Sequence, residues 1–120
     1  MRTEIHRLGS LVASLWSDTW VALQLLRSGH FDSDYYLRHS PDVAAAGVSP
    51  ALHYVRHGVS EGRQPSARFD TRYYLASNAD VAASGINPLL HFIRHGAAEG
   101  RSPLPPAEPT TRPTSSASAT

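Results

Sequence analysis

Apolar residues recur every three or four positions along the first part of the chain, a spacing that predicts an amphipathic helix. We expect this helix to begin near Thr3, to stop at Gly29, and to form a lead-in segment over residues 1–29. Its apolar positions are Ile5, Leu8, Val12, Leu15, Trp16, Leu23 and Leu26. Trp20 and Val21 widen this apolar face, so the helix is expected either to cover the rest of the fold or to meet another protein.

After this helix the pattern of apolar and polar positions repeats. Residues 31–66 read FDSDYYLRHSPDVAAAGVSPALHYVRHGVSEGRQPS, and residues 69–104 read FDTRYYLASNADVAASGINPLLHFIRHGAAEGRSPL. The offset is a constant 38 residues, and 20 of the 36 aligned positions are identical. A fixed period of this size predicts stacked units that cannot bury their apolar faces alone. We call residues 30–66 the first copy and residues 67–104 the second copy.

Capping residues, prolines and glycines divide each copy into three short helices. Pro41 and Asp42 begin the second helix of the first copy, and Asn78, Ala79 and Asp80 do the same in the second copy without a proline. An aspartate before a helical run predicts an N-cap, because its carboxylate accepts the free N–H groups of the first turn. Proline suits the first helical position, and glycine suits the left-handed position after the last one. These residues are Asp32, Pro41, Asp42, Gly47, Ser49, Pro50 and Gly58 in the first copy, and Asp70, Asn78, Asp80, Gly85, Asn87, Pro88 and Gly96 in the second.

Apolar positions that are identical in both copies predict the core. They are Phe31, Tyr35, Tyr36, Leu37, Val43 and Leu52, with Phe69, Tyr73, Tyr74, Leu75, Val81 and Leu90. Adjacent helical residues point about 100° apart, so one tyrosine of each pair is expected in the core and the other in a groove, where it can stack on a sugar ring. Positions at which the copies differ, such as Ser33 and Thr71, are predicted to face solvent.

The predicted fold class is therefore all-α. It comprises the amphipathic lead-in helix, two tandem units of three short helices, and a disordered C-terminal tail. The tail covers residues 105–120 and is rich in proline, serine and threonine. Such a composition has too few apolar side chains to offset the entropy that folding would cost it.

Composition excludes several classes of function. The 120 residues include no cysteine, which excludes disulfides, zinc thiolates and thiol nucleophiles. The net charge is +1 and the basic residues are interleaved with acidic ones, so no nucleic-acid partner is predicted. Asp18 and Gln24 interrupt the apolar stretch of residues 8–26, so no transmembrane segment is predicted. Without a clear signal peptide, we expect a cytoplasmic, membrane-peripheral location, with an extracellular one as the alternative.

Two histidine pairs are the candidates for metal chemistry. His53 and His57 are spaced i and i+4 on one predicted helix, as are His91 and His95, so each pair shares a face. A glutamate four residues later completes the set of two histidines and one carboxylate that some metals prefer. A glycine ends the helix before that glutamate, however. We therefore expect structural histidines that pack on the following aromatic residue and bond a carbonyl of the neighbouring unit, with metal binding as the alternative and no cofactor.

Two arginines are candidates for anion binding. Arg63 and Arg101 follow Glu61 and Glu99 by two residues and could clamp a carboxylate or phosphate. We expect them instead to form internal ion pairs with Asp42, Asp80 or the adjacent glutamate, or to bond free carbonyls at the C-terminus of a helix. The sequence contains no nucleophile elbow, phosphate loop or glycosidase-type acid pair, so no catalytic residue is predicted and the chain is not expected to be an enzyme.

The PheAsp, TyrTyrLeu, AspValAlaAla, HisGly and GluGlyArg elements of each copy resemble a known bacterial repeat. It is found at the N-termini of glycosyltransferases that build surface polysaccharides, including rhamnan-synthesis types, and in some secreted repeat proteins. The resemblance covers residues 31–104, and the LeuLeuArgSerGly end of the lead-in helix is similar to the segment before the repeats in the glycosyltransferase group. It implies a repeat without catalysis of its own, because those enzymes carry their nucleotide-sugar site in a separate domain.

These observations support one main functional hypothesis and two alternatives. The main hypothesis is a non-catalytic repeat module that docks to a glycan-assembly enzyme or self-associates through its N-terminal helix. The first alternative is a glycan- or metal-binding surface domain, motivated by the tyrosine and histidine pairs. The second is the front part of a longer glycosyltransferase.

Overall fold

The computed structural model describes residues 17–107 as an arrangement of short helices. Helix α1 covers residues 17–28. The first copy contains α2 (Ser33–Arg38), α3 (Pro41–Ala46), α4 (Pro50–His53) and a π-helical turn (Tyr54–Gly58). The second contains α5 (Thr71–Ser77), α6 (Ala79–Ser84), α7 (Pro88–His91) and a second π-helical turn (Phe92–Gly96). Over this range there is no β-strand, only an isolated bridge between Ser66 and Phe69, so the all-α class is confirmed at this level.

Two of the predictions concern residues that lie outside the described range. The predicted beginning of the lead-in helix, including Trp16, precedes it, and the predicted tail lies beyond residue 107 for most of its length. Residues 105–107 are exposed and belong to no helix.

The predicted N-caps are present at the first and third helices of each copy. In each case a side-chain oxygen accepts the backbone N–H three residues further on, at distances of 3.0, 3.3, 2.9 and 3.1 Å. The capping residues are Asp32, Ser49, Asp70 and Asn87. Pro50 and Pro88 occupy the first helical positions, as predicted. Local sequence signals therefore determine where these helices begin.

The aspartate caps also join the two ends of each copy. The backbone N–H of Asp32 donates to the Pro65 carbonyl at 2.9 Å, and that of Asp70 donates to the Pro103 carbonyl at 2.8 Å. The first helix of each copy is thus tied to the proline that follows its GluGlyArg turn.

Gly47 and Gly85 end the second helix of each copy in the left-handed conformation, with φ of 70° and 77°. A Cβ at either position would have open space around it, so a substitution there meets backbone strain alone. We expect Gly47→Val and Gly85→Val each to lower the free energy of unfolding by about 1–2 kcal/mol, the usual cost of left-handed backbone for an L-residue. Urea melts measure this loss, and less than about 0.5 kcal/mol at both positions would mean that these helices end elsewhere.

Gly58 and Gly96 end the third helical segment, as predicted, but in a way that the sequence does not reveal. The last turn widens to π geometry, in which the N–H of Val59 bonds the Tyr54 carbonyl five residues back at 3.1 Å. Both glycines are buried, and a Cβ on either would overlap a tyrosine hydroxyl, that of Tyr36 or Tyr74. They are therefore required by close packing and not by a left-handed conformation.

Aromatic rings form most of the core. In the first copy Phe31 lies 5.4 Å from Tyr36 and 5.8 Å from Tyr54, centroid to centroid. In the second copy Phe69 lies 5.1 Å from Tyr74 and 5.7 Å from Phe92. The fully buried tyrosines are the second members of each pair, whereas the first members, Tyr35 and Tyr73, are half-buried. The prediction that one tyrosine of each pair lies in the core is therefore confirmed for Tyr36 and Tyr74. Other positions predicted for the core are only partly buried: Tyr35, Leu37, Leu52, Tyr73 and Leu75.

Helix α1 packs against the copies with a different side from the one its spacing indicates. Ala22 and Leu25 are buried, with Leu25 fully inaccessible. Trp20, Leu23 and Leu26 remain 58, 38 and 46% exposed, although they belong to the predicted apolar face. Apolar residues surround much of this helix, so spacing alone does not show which side faces the core. No helix among residues 17–107 is long and apolar enough to cross a membrane.

The junction between the copies contradicts one prediction. The difference between Thr71 and Ser33 predicts that Thr71 faces solvent, yet Thr71 is fully buried. Its hydroxyl donates to the Arg63 carbonyl at 2.7 Å and shares a 2.8 Å hydrogen bond with the Tyr54 hydroxyl. Its N–H donates to Gln64 Oε1 at 2.6 Å. Thr71 begins α5 directly against the end of the first copy, so it is buried by contacts that have no counterpart at Ser33.

Candidate functional site

Arg63 connects α3 to the turn that ends the first copy. Its Nη1 and Nη2 atoms donate to the two carboxylate oxygens of Asp42 at 2.9 and 2.8 Å, and its Nε donates to Glu61 at 2.8 Å. This is the bidentate geometry in which guanidinium binds carboxylate most strongly. The predicted internal ion pairs of Arg63 are confirmed.

Arg101 makes the same contacts in the second copy. It donates to both oxygens of Asp80 at 3.0 and 2.9 Å and to Glu99 at 2.8 Å. It also donates from Nη1 to Asn78 Oδ1 at 2.8 Å, a contact that serine at the equivalent position of the first copy does not make. Because carboxylates of the chain already occupy both guanidinium groups, neither arginine presents a free clamp for an anionic ligand.

These ion pairs have a defined pH dependence. Hydrogen bonds from Arg63 and Arg101 lower the pKa of Asp42 and Asp80 to about 2, from the ordinary value of 3.8. A carboxylate with a lowered pKa stabilises the folded state above its ordinary pKa, and this contribution is lost as the pH falls through about 2. The aspartates are 62 and 64% exposed, so solvent screens the pairs and their contribution to stability is small.

The first histidine of each pair lies against a buried tyrosine. His53 Nδ1 is 2.8 Å from the Tyr36 hydroxyl, and His91 Nδ1 is 2.8 Å from the Tyr74 hydroxyl. Burial raises the pKa of Tyr36 to about 12 and lowers the pKa of His53, which keeps both groups neutral near pH 7. The prediction of structural histidines had the wrong partners: each ring bonds a tyrosine hydroxyl of its own copy, not a carbonyl of the neighbouring unit.

The second histidine of each pair is exposed and lies beside the first. The ring centroids are 5.4 Å apart for His53 and His57, and 5.6 Å apart for His91 and His95. The glutamate proposed as a third ligand is held by arginine in both copies. Among residues 17–107, no group of three or more histidine, aspartate and glutamate side chains could hold a metal ion.

We expect micromolar zinc or nickel to leave the melting temperature of the protein unchanged. A bound metal at a hundred times its dissociation constant would add about 2.7 kcal/mol to the free energy of unfolding. The double variant His53→Ala with His91→Ala should be less stable with or without metal, because it leaves two buried hydroxyls without partners. Micromolar binding of one ion per copy in a calorimetric titration would contradict this expectation.

A cavity of about 370 Å³ lies where α1 meets both copies. Asp18 and Val21 of α1 line it, together with Val55 of the first copy and Leu90 of the second. Asp18 is held by Arg56 Nε at 3.3 Å, and so ties α1 to the first copy. The Nδ2 atom of Asn87 is buried at this cavity without a hydrogen-bond partner in the described part of the chain.

Comparison with protein-family models, curated proteins and solved structures finds no match for this chain.

Proposed function

We propose that the chain is a non-catalytic helical repeat module that acts through protein contacts, and that its two copies are structural units of one array. The correspondence of helix bounds, caps and arginine ion pairs between the copies supports this arrangement. The resemblance of the sequence to repeats of surface-polysaccharide glycosyltransferases supports a role beside glycan assembly in a bacterial cell. The proposed location is cytoplasmic and membrane-peripheral.

The use of the shared polar residues supports a role without catalysis. The aspartates cap helices or hold arginines, the glutamates hold the same arginines, and the first histidines bond tyrosines. Each of these side chains satisfies a need of the fold itself. General acid–base catalysis uses a side chain that has a shifted pKa and also faces the substrate without being held by the fold. None of these side chains meets both conditions.

The proposal of a protein contact rests on the exposed apolar side of α1. Trp20, Leu23 and Leu26 are spaced by three residues, which places them along one ridge of the helix surface. We propose a second copy of the chain as the occupant, because two such ridges in antiparallel orientation are self-complementary. Centred on Leu23, this pairing sets Trp20 of one chain against Leu26 of the other.

Deletion of the gene in its own bacterium tests the proposed role in glycan assembly. We expect the deletion strain to lose surface polysaccharide, and wild-type chain to restore it. A Trp20→Glu variant should fail to restore it, whereas Val48→Glu, which alters an exposed apolar residue away from α1, should succeed. Unchanged polysaccharide in the deletion strain would contradict the role in glycan assembly.

A further inference from the structure

Ser40 and Asn78 occupy equivalent positions in the two copies and share one backbone conformation. Their φ and ψ are −137° and 70° for Ser40, and −131° and 80° for Asn78. In the second copy the Asn78 carboxamide donates from Nδ2 to the Tyr74 carbonyl at 2.7 Å and accepts from Arg101 Nη1 at 2.8 Å. The second copy therefore shows which chemical group fits this position: an amide that gives one hydrogen bond and receives one.

The first copy lacks that amide and has a cavity of about 240 Å³ in this region. Its lining residues are Tyr35, His39, Ser40, Gly62, Arg63 and Gln64. Ser40 is 3% exposed and makes no side-chain cap to α3. Its side chain lines the cavity and is not engaged in capping the helix that follows.

The cavity presents both donors and acceptors. Arg63 Nη1 corresponds to the Arg101 atom that donates to the Asn78 amide oxygen. Gln64 is fixed by the N–H of Thr71, which donates to its Oε1 atom and leaves its NH₂ group to donate elsewhere. The Ser40 hydroxyl can donate or accept. The carbonyl oxygen of a ligand amide can therefore accept from Arg63, as the Asn78 amide oxygen accepts from Arg101, and the amide N–H can donate to the Ser40 hydroxyl.

An aromatic wall borders these polar groups. The Tyr35 and His39 rings are stacked, with centroids 4.0 Å apart and an angle of 27° between the planes. His39 Nδ1 also bonds the Tyr35 carbonyl at 2.8 Å, which holds the two rings together. A flat aromatic surface beside a few directed polar groups suits the apolar face of a sugar ring better than it suits a flexible chain.

Charge argues against an anionic ligand. The positive charge of Arg63 is balanced by Asp42 and Glu61, both within 2.8 Å of it. An added carboxylate or phosphate would meet these two negative groups, whereas a neutral amide would not.

We propose that this cavity binds an N-acetylated sugar, with the acetamido group in the position that the Asn78 carboxamide fills in the second copy and the sugar ring against Tyr35. A cavity of about 240 Å³ is below the usual range for drug-sized ligands, and so fits a single sugar residue. The proposal goes beyond the docking function and does not depend on self-association through α1.

Titration of the full isotope-labelled chain with N-acetylglucosamine, followed by amide NMR shifts, tests the site. We expect saturable shifts at Tyr35, Ser40 and Gln64, and weaker binding of glucose. Ser40→Asn should weaken binding by about tenfold or more, because the new side chain fills the cavity with the amide of the second copy. The second copy already carries asparagine at this position, so the variant is expected to fold, and its melting temperature checks this.

Matched variants in the two copies distinguish binding at this cavity from effects of the substitution elsewhere in the protein. Tyr35→Ala should weaken binding severalfold, whereas Tyr73→Ala, the equivalent change in the second copy, should leave it unchanged. Equal affinity of wild type and Ser40→Asn, or no saturable shift with N-acetylglucosamine, would overturn the proposal. Tighter binding of N-acetylasparagine amide than of N-acetylglucosamine would assign the site to a peptide amide and also overturn it.

Discussion

Thr71→Val is expected to lower the free energy of unfolding by about 2–4 kcal/mol, since it leaves two buried polar groups without a partner. The Tyr54 hydroxyl and the Arg63 carbonyl both bond the Thr71 hydroxyl, and Thr71 and Tyr54 are fully buried. Valine has almost the same shape as threonine, so the packing is preserved. The decrease in the free energy of unfolding therefore measures the lost hydrogen bonds. Urea melts at constant pH measure this loss.

Two further variants test the origin of this effect. Ser33→Ala alters the equivalent position of the first copy, which is half-buried and outside the junction, and should cost about 0.5 kcal/mol or less. Tyr54→Phe should be less harmful in the Thr71→Val background than in wild type, because the unpaired hydroxyl is then removed together with its partner. Strict additivity of the two changes would show that the pair is not coupled.

Gly58→Ala is expected to destabilise the fold by about 2–3 kcal/mol, the usual range for an overpacked core. The added Cβ would overlap the hydroxyl of Tyr36, whose ring is held in place by Phe31 and Tyr54. No left-handed strain contributes, because Gly58 has no positive φ. The effect should therefore exceed that of Gly47→Val, where the Cβ meets open space.

The Tyr36→Phe background supplies the control for this prediction. Removing the hydroxyl removes the nearest clash, so Gly58→Ala should cost clearly less there than in wild type. Gly96→Ala should behave in the same way with Tyr74→Phe, because the second copy has the same contact. An equal cost of Gly58→Ala in both backgrounds would place the clash elsewhere.

Features that depend on nearby residues could be predicted from the sequence. The carboxylate of an aspartate at an N-cap can accept the backbone N–H three residues later, and this contact does not depend on the rest of the fold. The caps at Asp32 and Asp70 could therefore be predicted. The positive φ of Gly47 and Gly85 likewise follows from the end of an alanine-rich turn. The ion pairs of Arg63 and Arg101 could be foreseen because candidate carboxylates recur at the same spacing in both copies.

Features that depend on packing between distant segments could not be predicted. Thr71 differs from Ser33 in the sequence, and only the junction shows that it is buried. The inward side of α1 is set by Ala22 and Leu25, although Leu23 and Leu26 carry larger apolar surfaces. The cavity at Ser40 is likewise invisible in the sequence, because a serine and an asparagine are both ordinary residues before a helix.

Sedimentation equilibrium of the purified chain tests the central claim, that the exposed side of α1 joins two copies of the protein. We expect the wild-type chain to form a dimer at micromolar concentrations and Trp20→Glu to remain a folded monomer, because Trp20 is 58% exposed and is not part of the core. Val48→Glu, at an exposed apolar residue outside α1, should still form the dimer. A monomeric wild type at high micromolar concentration, or equal dimerisation of wild type and Trp20→Glu, would contradict the claim.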